Sequence, residues 1–258
     1  LHPAIDGQPG LNTTNRRARQ TTRQMILPAR RGILHSHSWL ACVIAGQPAH
    51  FKQSITMARF TSAFASLELL RQPEQPNEPL QAFDAADEYL LNHLHSQTLT
   101  ADSRVLLLND SFGALACSLA GRCRLTSSGD SHLGFLALQH NLARNQLTAD
   151  SMTFVPASTV ASGPFDLVLI RVPKTLALLE EQLIRLQGQL ATGAQVIAGA
   201  MLKHLPRAAG DLLEQYIGPV QASLAVKKAR LLMATPSQKP AAVSPYPSRY
   251  QLEQPTLE

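Results

Sequence analysis

The stretch VLLLNDSFGALACSLA, Val105 to Ala120, decides how this chain is read. An apolar run ends in a polar turn, Asn109-Asp110-Ser111-Phe112, and small apolar residues then resume at helical spacing. A strand that passes the chain to a helix through such a turn is how an α/β unit opens a nucleotide-binding loop. Glycines there let the backbone approach a phosphate or a ribose. This turn has only Gly113, which leaves two readings, a cofactor site or the remains of one.

Outward from this stretch, strand and helix patterns alternate. FASLELLR (64–71) reads as a first strand, and RQPEQPNEP (71–79) as a turn or linker with three prolines. LQAFDAADEYLLNHL (80–94) repeats apolar residues at three and four, a helix announced by Pro79. The spacing then predicts a strand over 104–109, a helix over 113–120 and a weak strand or turn at RLTSSGD (124–130). A helix follows over 132–145, then strands MTFVP (152–156) and DLVLIRV (166–172), a helix over 175–190 and strand QVIAGA (195–200). A last helix over 208–217 leads to VQASLAV (220–226) and RLLMATP (230–236), joined at Lys227-Lys228 as an antiparallel hairpin. Alternation of this kind implies a mainly parallel sheet covered by helices on both faces. The antiparallel pair at its C-terminal end is a feature of Rossmann-like methyltransferase architecture, so the fold class expected is α/β of that type.

Composition narrows the class further. Hydrophobic residues make up 45% of the 258, enough for one large core, and no apolar run reaches the roughly 18 residues of a membrane span. Cys42, Cys117 and Cys123 lack metal-ligand or disulfide spacing. His93/His95 and His35/His37 have no acidic or cysteine partner nearby, and i, i+2 residues on a helix do not share a face. Neither metal nor membrane is expected as a partner, and without a secretory signal pattern the expected location is cytoplasmic. The net charge of +5 is uneven. Residues 1–56 carry seven Lys/Arg against Asp6 alone, while the rest carries sixteen Lys/Arg against seventeen acids. Residues 1–56 lack any sustained period and are expected to be a disordered basic arm or an extension outside the natural fold. Residues 57–235 are the expected domain, and 236–258, rich in Pro, Ser and Gln, the expected linker.

The blocks NEPLQAFDAADEYLL, VLLLNDSFGALACSLA, VLIRVPKTLALLEEQL, VIAGAMLKHL and LAVKKARLL together resemble the N-terminal half of the bacterial large-subunit ribosomal RNA guanine-N2 methyltransferases of the G type. The likeness runs from about Phe60 to Leu252. It implies two methyltransferase folds in tandem. The C-terminal fold is the catalytic one and uses S-adenosyl-L-methionine; the N-terminal fold is a decayed copy that helps to hold 23S ribosomal RNA. By that resemblance the partners of this chain are the RNA and the C-terminal catalytic domain. No cofactor is expected in the chain itself.

Four places test whether the decayed copy keeps any chemistry. In the loop, Asn109, Ser111 and Phe112 stand where backbone freedom is needed, and Gly113 is the last glycine, so the loop is expected to be closed. Asp110 there is expected to cap the helix. Asp130, near the position of an acid that would accept from ribose hydroxyls, has a simpler use, in which it or Ser131 caps the next helix. The strand end that would hold a guanine amine reads Arg171-Val172-Pro173-Lys174, and neither Arg nor Lys has an acceptor. Arg171 and Lys174 instead bring positive charge to the carboxyl edge of the sheet, a candidate phosphate contact. Lys227, Lys228 and Arg230 at the hairpin, with Lys203, are further RNA candidates; a solvated strand edge explains the hairpin cations equally well. Asp84, Asp87 and Glu88 read as a solvated or dipole-complementing face. Tyr89 and Phe135 sit at core spacing, so shape and phosphate recognition is expected rather than base stacking. The alternatives are a domain that still binds S-adenosyl-L-methionine through Asp110, Gly113 and Asp130, and a purely structural packing module.

Overall fold

A computed structural model of the chain describes residues 59–75, 78–150 and 152–247. The expectations for residues 1–56 lie outside the described residues. The chain begins with a short antiparallel hairpin, β1 (Arg59–Thr61) and β2 (Ser66–Glu68), where one strand over 64–71 was expected. The reason is local: the Ser62 hydroxyl and backbone bond back to Ala65 and reverse the chain. Helix α1 (Ala85–His95) starts at Asp84, whose carboxylate accepts from Ala86 N while Asp87 accepts from Asp84 N, a reciprocal cap.

Burial on both faces makes the run Val105–Leu108 a central strand. Residues β3 (Arg104–Leu108), β4 (Arg124–Gly129), β5 (Met152–Pro156), β6 (Phe165–Arg171) and β7 (Leu190–Met201) are mutually parallel. Strands β8 (Val220–Ala222) and β9 (Ala229–Ala234) add the antiparallel end, giving the order β5-β4-β3-β6-β7-β9-β8. Helices α2 (Ala114–Leu119) and α3 (His132–Arg144) follow β3 and β4, whereas α4 (Leu176–Leu186) and α5 (Arg207–Tyr216) follow β6 and β7. Alternate residues of each strand enter opposite cores. Val105, Leu107 and Leu169 pack under α1, α2 and α3; Leu106, Leu108, Val168 and Ile170 pack against α4 and α5. RLTSSG, weak as a strand in sequence, is a full strand because Ser127 and Ser128 are buried within the sheet.

Two details show local chemistry set by packing. Asn141 and Asn145, one turn apart on α3, present their side-chain amides to β2 and its continuation. Their oxygens accept from Leu70 N and Glu68 N, and their nitrogens donate to the same residues' carbonyls, all at 2.9 Å. Two asparagines thus stand in for a missing neighbouring strand. At the other end, Val226 and Ala229 bridge across a two-residue turn in which Lys227 (φ 49°) and Lys228 (φ 64°) are both left-handed. This turn favours Asn-Gly, and a side chain in that region costs about 1 kcal/mol or more. Lys228→Gly is expected to raise the unfolding free energy by about 1 kcal/mol in urea melts.

The expected linker from residue 236 has no secondary structure through residue 247, yet it is fastened to the domain. Gln187 Nε2 donates to Pro240 O (3.3 Å), Ala242 N donates to Gln187 Oε1 (2.9 Å) and Tyr246 Oη donates to Glu180 (2.8 Å). Ser244 donates to Glu181. Residues 236–247, in the expected linker, are thus held against α4. No helix among the described residues is long and apolar enough to cross a membrane.

Candidate functional site

The strand order reverses direction between β3 and β6, since β4 and β5 extend the sheet one way and β7 the other. Ligands of open α/β sheets enter at the carboxyl ends of strands beside such a switch point. Two clefts meet there. The first, about 450 Å³, lies between the β3–α2 loop and the ends of β4 and β6. Its lining includes Ser111, Asp130, Phe135, Phe154, Lys174 and Thr175. The second, about 640 Å³, extends over α1 to Arg71, Leu80, Lys203 and His204. Asp110, Ser111, Phe112 and Lys174 line both, so the two form one continuous edge.

The β3–α2 loop is held rigidly. Asn109 takes the left-handed conformation (φ 63°), and its amide is paired in both directions with Gln182 at 2.8 and 2.9 Å. Asp110 turns inward and accepts from Ala116 N at 2.8 Å, with Leu115 and Ala114 N–H groups also aimed at it. Burial nevertheless holds its carboxyl above the usual carboxylate range. Gly113 (φ 86°) tolerates nothing larger, because a Cβ would stand 2.8 Å from Leu138 Cδ1. Phe112 packs toward the core, with the Arg71 guanidinium 4.7 Å above its ring. The ring packs toward the core while still bordering both clefts, and a space of about 450 Å³ lies beside the loop that was expected to be closed.

The expected cations divide into two groups. Arg171 is not free. Its side chain, 16% exposed, donates to both Asp84 oxygens at 2.7 and 2.9 Å and approaches Asp87 Oδ1 at 3.3 Å. Its candidacy as a phosphate contact is corrected accordingly, because its charge is spent on two carboxylates. Asp87 is buried rather than solvated, which pushes its carboxyl up to about 7 in spite of Arg171. Burial also acts to raise Asp84, but the Arg171 hydrogen bond and charge outweigh it and hold that carboxyl low. At the hairpin, Lys227 pairs with Glu88 at 2.7 Å, and Arg230 Nε is buried without a partner among the described residues. Lys174, Lys203 and Lys228 make no ion pair among the described residues. The first two line the clefts, while Lys228 sits on the hairpin turn, where its carbonyl accepts from Leu202 N at 2.8 Å.

At β4 the use expected of Asp130 falls to its neighbour. Ser131 Oγ accepts from Gly134 N (3.1 Å) and caps α3, which leaves the exposed Asp130 carboxylate without a hydrogen-bond partner among the described residues. Phe135, placed in the core by its spacing, is half-buried and faces the first cleft. It stacks on Phe154 with centroids 4.1 Å apart and planes 31° from parallel. Sequence reasoning missed Phe154 altogether; it lies in the predicted strand MTFVP, which only the structure places at the sheet edge. His93 bonds Gln97 and His95 packs edge-on against Phe64. Among the described residues no three His, Cys, Asp or Glu side chains are grouped to hold a metal.

Strand order, antiparallel end and edge crevice define the class: a Rossmann-like methyltransferase-type domain. Two solved structures share that fold. The Thermus thermophilus 16S rRNA N2 G1207 methyltransferase, in complex with AdoMet and guanosine, matches with a TM-score of 0.52 and 15% identity over 73% of this chain and 46% of that one. The Methanobacterium thermoautotrophicum precorrin 8w decarboxylase matches with a TM-score of 0.52 and 17% identity, over 66% of this chain and 97% of that one. Residues 57–238 match the family described as the RLMG N-terminal domain, and the chain belongs to that family. Relatives called ribosomal RNA large subunit methyltransferase G include those of Ectopseudomonas mendocina (75% identical over 202 residues) and Stutzerimonas stutzeri (78% over 195). The matches take in 78% and 76% of this chain but 54% and 52% of those relatives. The chain spans about half the length of the curated relatives it matches.

Proposed function

We propose that this chain is the RNA-recognising, catalytically silent half of a two-domain enzyme. That enzyme would methylate guanine N2 of 23S ribosomal RNA with S-adenosyl-L-methionine bound in its C-terminal domain. The observation that carries the reading is the edge at Arg171-Val172-Pro173-Lys174. Transfer to a guanine amine needs acceptors that hold the NH2, and these side chains offer none. Arg171, on the wall of the second cleft, is paired with Asp84 and Asp87. The Asp110 carboxylate, the acceptor nearest the loop for a donor's amine, is occupied by the first turn of α2, which supports the silent reading. The high identity to proteins called ribosomal RNA large subunit methyltransferase G supports RNA as the partner.

Phosphate contact falls to Lys174 and Lys203, both on the continuous edge, with Lys228 beyond them. Each phosphate-contacting cation adds about one to the slope of log affinity against log salt. For a structured 23S fragment, Lys174→Ala with Lys203→Ala is expected to flatten that slope by about 2 and weaken binding at low salt. A slope unchanged by the double substitution overturns the assignment of the edge. A fragment that binds with no salt dependence overturns RNA recognition by phosphate contact.

A further inference from the structure

We infer that the first cleft is a seat for one unpaired ribonucleotide of an RNA strand. The inference rests on the RNA reading above but concerns a different contact, to ribose and base rather than to the phosphate backbone at large. The cleft holds about 450 Å³, within the range of small-ligand sites. Three chemically different groups line it, and each matches one part of a ribonucleotide.

Asp130 is an exposed carboxylate at the end of β4 that the fold does not use, since Ser131 does the capping. A carboxylate at this point of an α/β sheet is placed to accept from ribose hydroxyls. In an RNA strand the 2′-hydroxyl is the available donor, and DNA lacks it. The Phe154 and Phe135 rings form a half-buried aromatic ledge on the same wall, and an unstacked base gains by lying on such a surface. Lys174 borders the cleft at the entry to α4, whose cap residue Thr175 makes no side-chain hydrogen bond, so an ammonium and unfilled N–H groups face an incoming phosphate. The sum is acceptor, apolar face and cation, the complement of a ribonucleotide.

A free nucleotide presents the same three groups. The strand is favoured because the cleft does not end. Through Asp110, Ser111, Phe112 and Lys174 it continues into the second cleft. There Arg71, Lys203 and His204 stand beside the Arg171–Asp84–Asp87 cluster, in which Arg171 pairs both carboxylates, and this gives the flanking backbone a path. Gly134, which also lines the cleft, lets α3 pack closely on the loop, since a Cβ there would stand 2.9 Å from the Ser111 carbonyl.

The test uses the full chain with four probes: a single-stranded ribohexamer, its deoxy counterpart, a ribonucleoside monophosphate and S-adenosylmethionine, each titrated by calorimetry. The ribohexamer is expected to bind more tightly than the deoxyhexamer and than the mononucleotide. Asp130→Ala is expected to weaken the ribohexamer about tenfold and leave the deoxyhexamer unchanged. Phe154→Leu, which keeps apolar packing and removes the ring face, is expected to weaken both strands about tenfold. Equal affinity for the two sugars, or no effect of Asp130→Ala, overturns the inference. Binding of the mononucleotide alone overturns the strand, and displacement of the ribohexamer by S-adenosylmethionine overturns it in favour of a cofactor site. If Asp130→Ala is silent while Lys203→Ala still weakens the structured 23S fragment, the cleft fails and the RNA reading stands. If neither substitution has an effect, both fail.

Discussion

Replacing Arg171 by Met is expected to destabilise the domain by about 4 kcal/mol at pH 8 and by about 3 kcal/mol at pH 5, measured by urea unfolding. The guanidinium sits between Asp84 and Asp87, with Asp110 nearby, and Asp87 is 8% exposed. Breaking a buried pair costs about 3–5 kcal/mol because the partner left behind keeps its desolvation without compensation. The Asp84 side is 38% exposed, which moderates that contribution. The pH dependence follows from Asp87. Its folded pKa of about 7 lies above the unfolded value, so between the two the folded chain holds more protons and stability falls as pH rises. Removing Arg171 takes away a charge that lowers this pKa, so Asp87 resists ionisation further and the loss grows toward pH 8. Asp84 has the opposite sign. Its depressed pKa contributes stability above the unfolded value, and the variant loses that contribution even at pH 5. Adding Asp87→Asn to Arg171→Met is expected to recover most of the loss at pH 8. An equal loss at both pH values would show that the cluster acts by packing alone.

Asn141→Leu is expected to destabilise by about 3–5 kcal/mol, a comparable effect with a different cause. The side chain is 1% exposed and nearly isosteric with Leu, so little volume changes. What is lost is polar: Leu70 N–H, Leu70 C=O and the Phe112 carbonyl, at 2.8–2.9 Å from the amide, all lose their partner inside the protein. Each orphaned buried group costs about 1–3 kcal/mol. Because Asn141 joins β2 to the β3–α2 loop, hydrogen exchange is expected to accelerate at Leu70 first. Asn145→Leu, at the exposed end of the same ladder, is expected to cost about 1 kcal/mol. Equal effects at the two positions would contradict the role of burial.

Much of the architecture was legible because the signals are local. The apolar run 105–108, the small residues after Gly113 and the period of α4 each declare their element within a few residues. The boundaries that moved have local causes seen only in three dimensions. RLTSSG is polar on paper but lies between two parallel strands, and Ser62 turns the first expected strand into a hairpin. The single glycine of the β3–α2 turn and the lack of side-chain acceptors at residues 171–174 could also be read directly, since they are matters of residue type.

The chain's own order thus determined the alternation of strands and helices, the parallel sheet with its antiparallel end, and the lack of side-chain acceptors at residues 171–174. Only the tertiary structure decided which charges are free. Arg171 and Asp84 are 87 residues apart, Lys227 and Glu88 are 139 apart, and no periodicity reports such a meeting. The same packing sent Phe112 inward, released Asp130 from capping and turned Phe135 and Phe154 toward a common space. Hydrophobic period is written in neighbours a few positions away. The partner of a charge, by contrast, is set by the register of strands and helices brought together from distant parts of the chain.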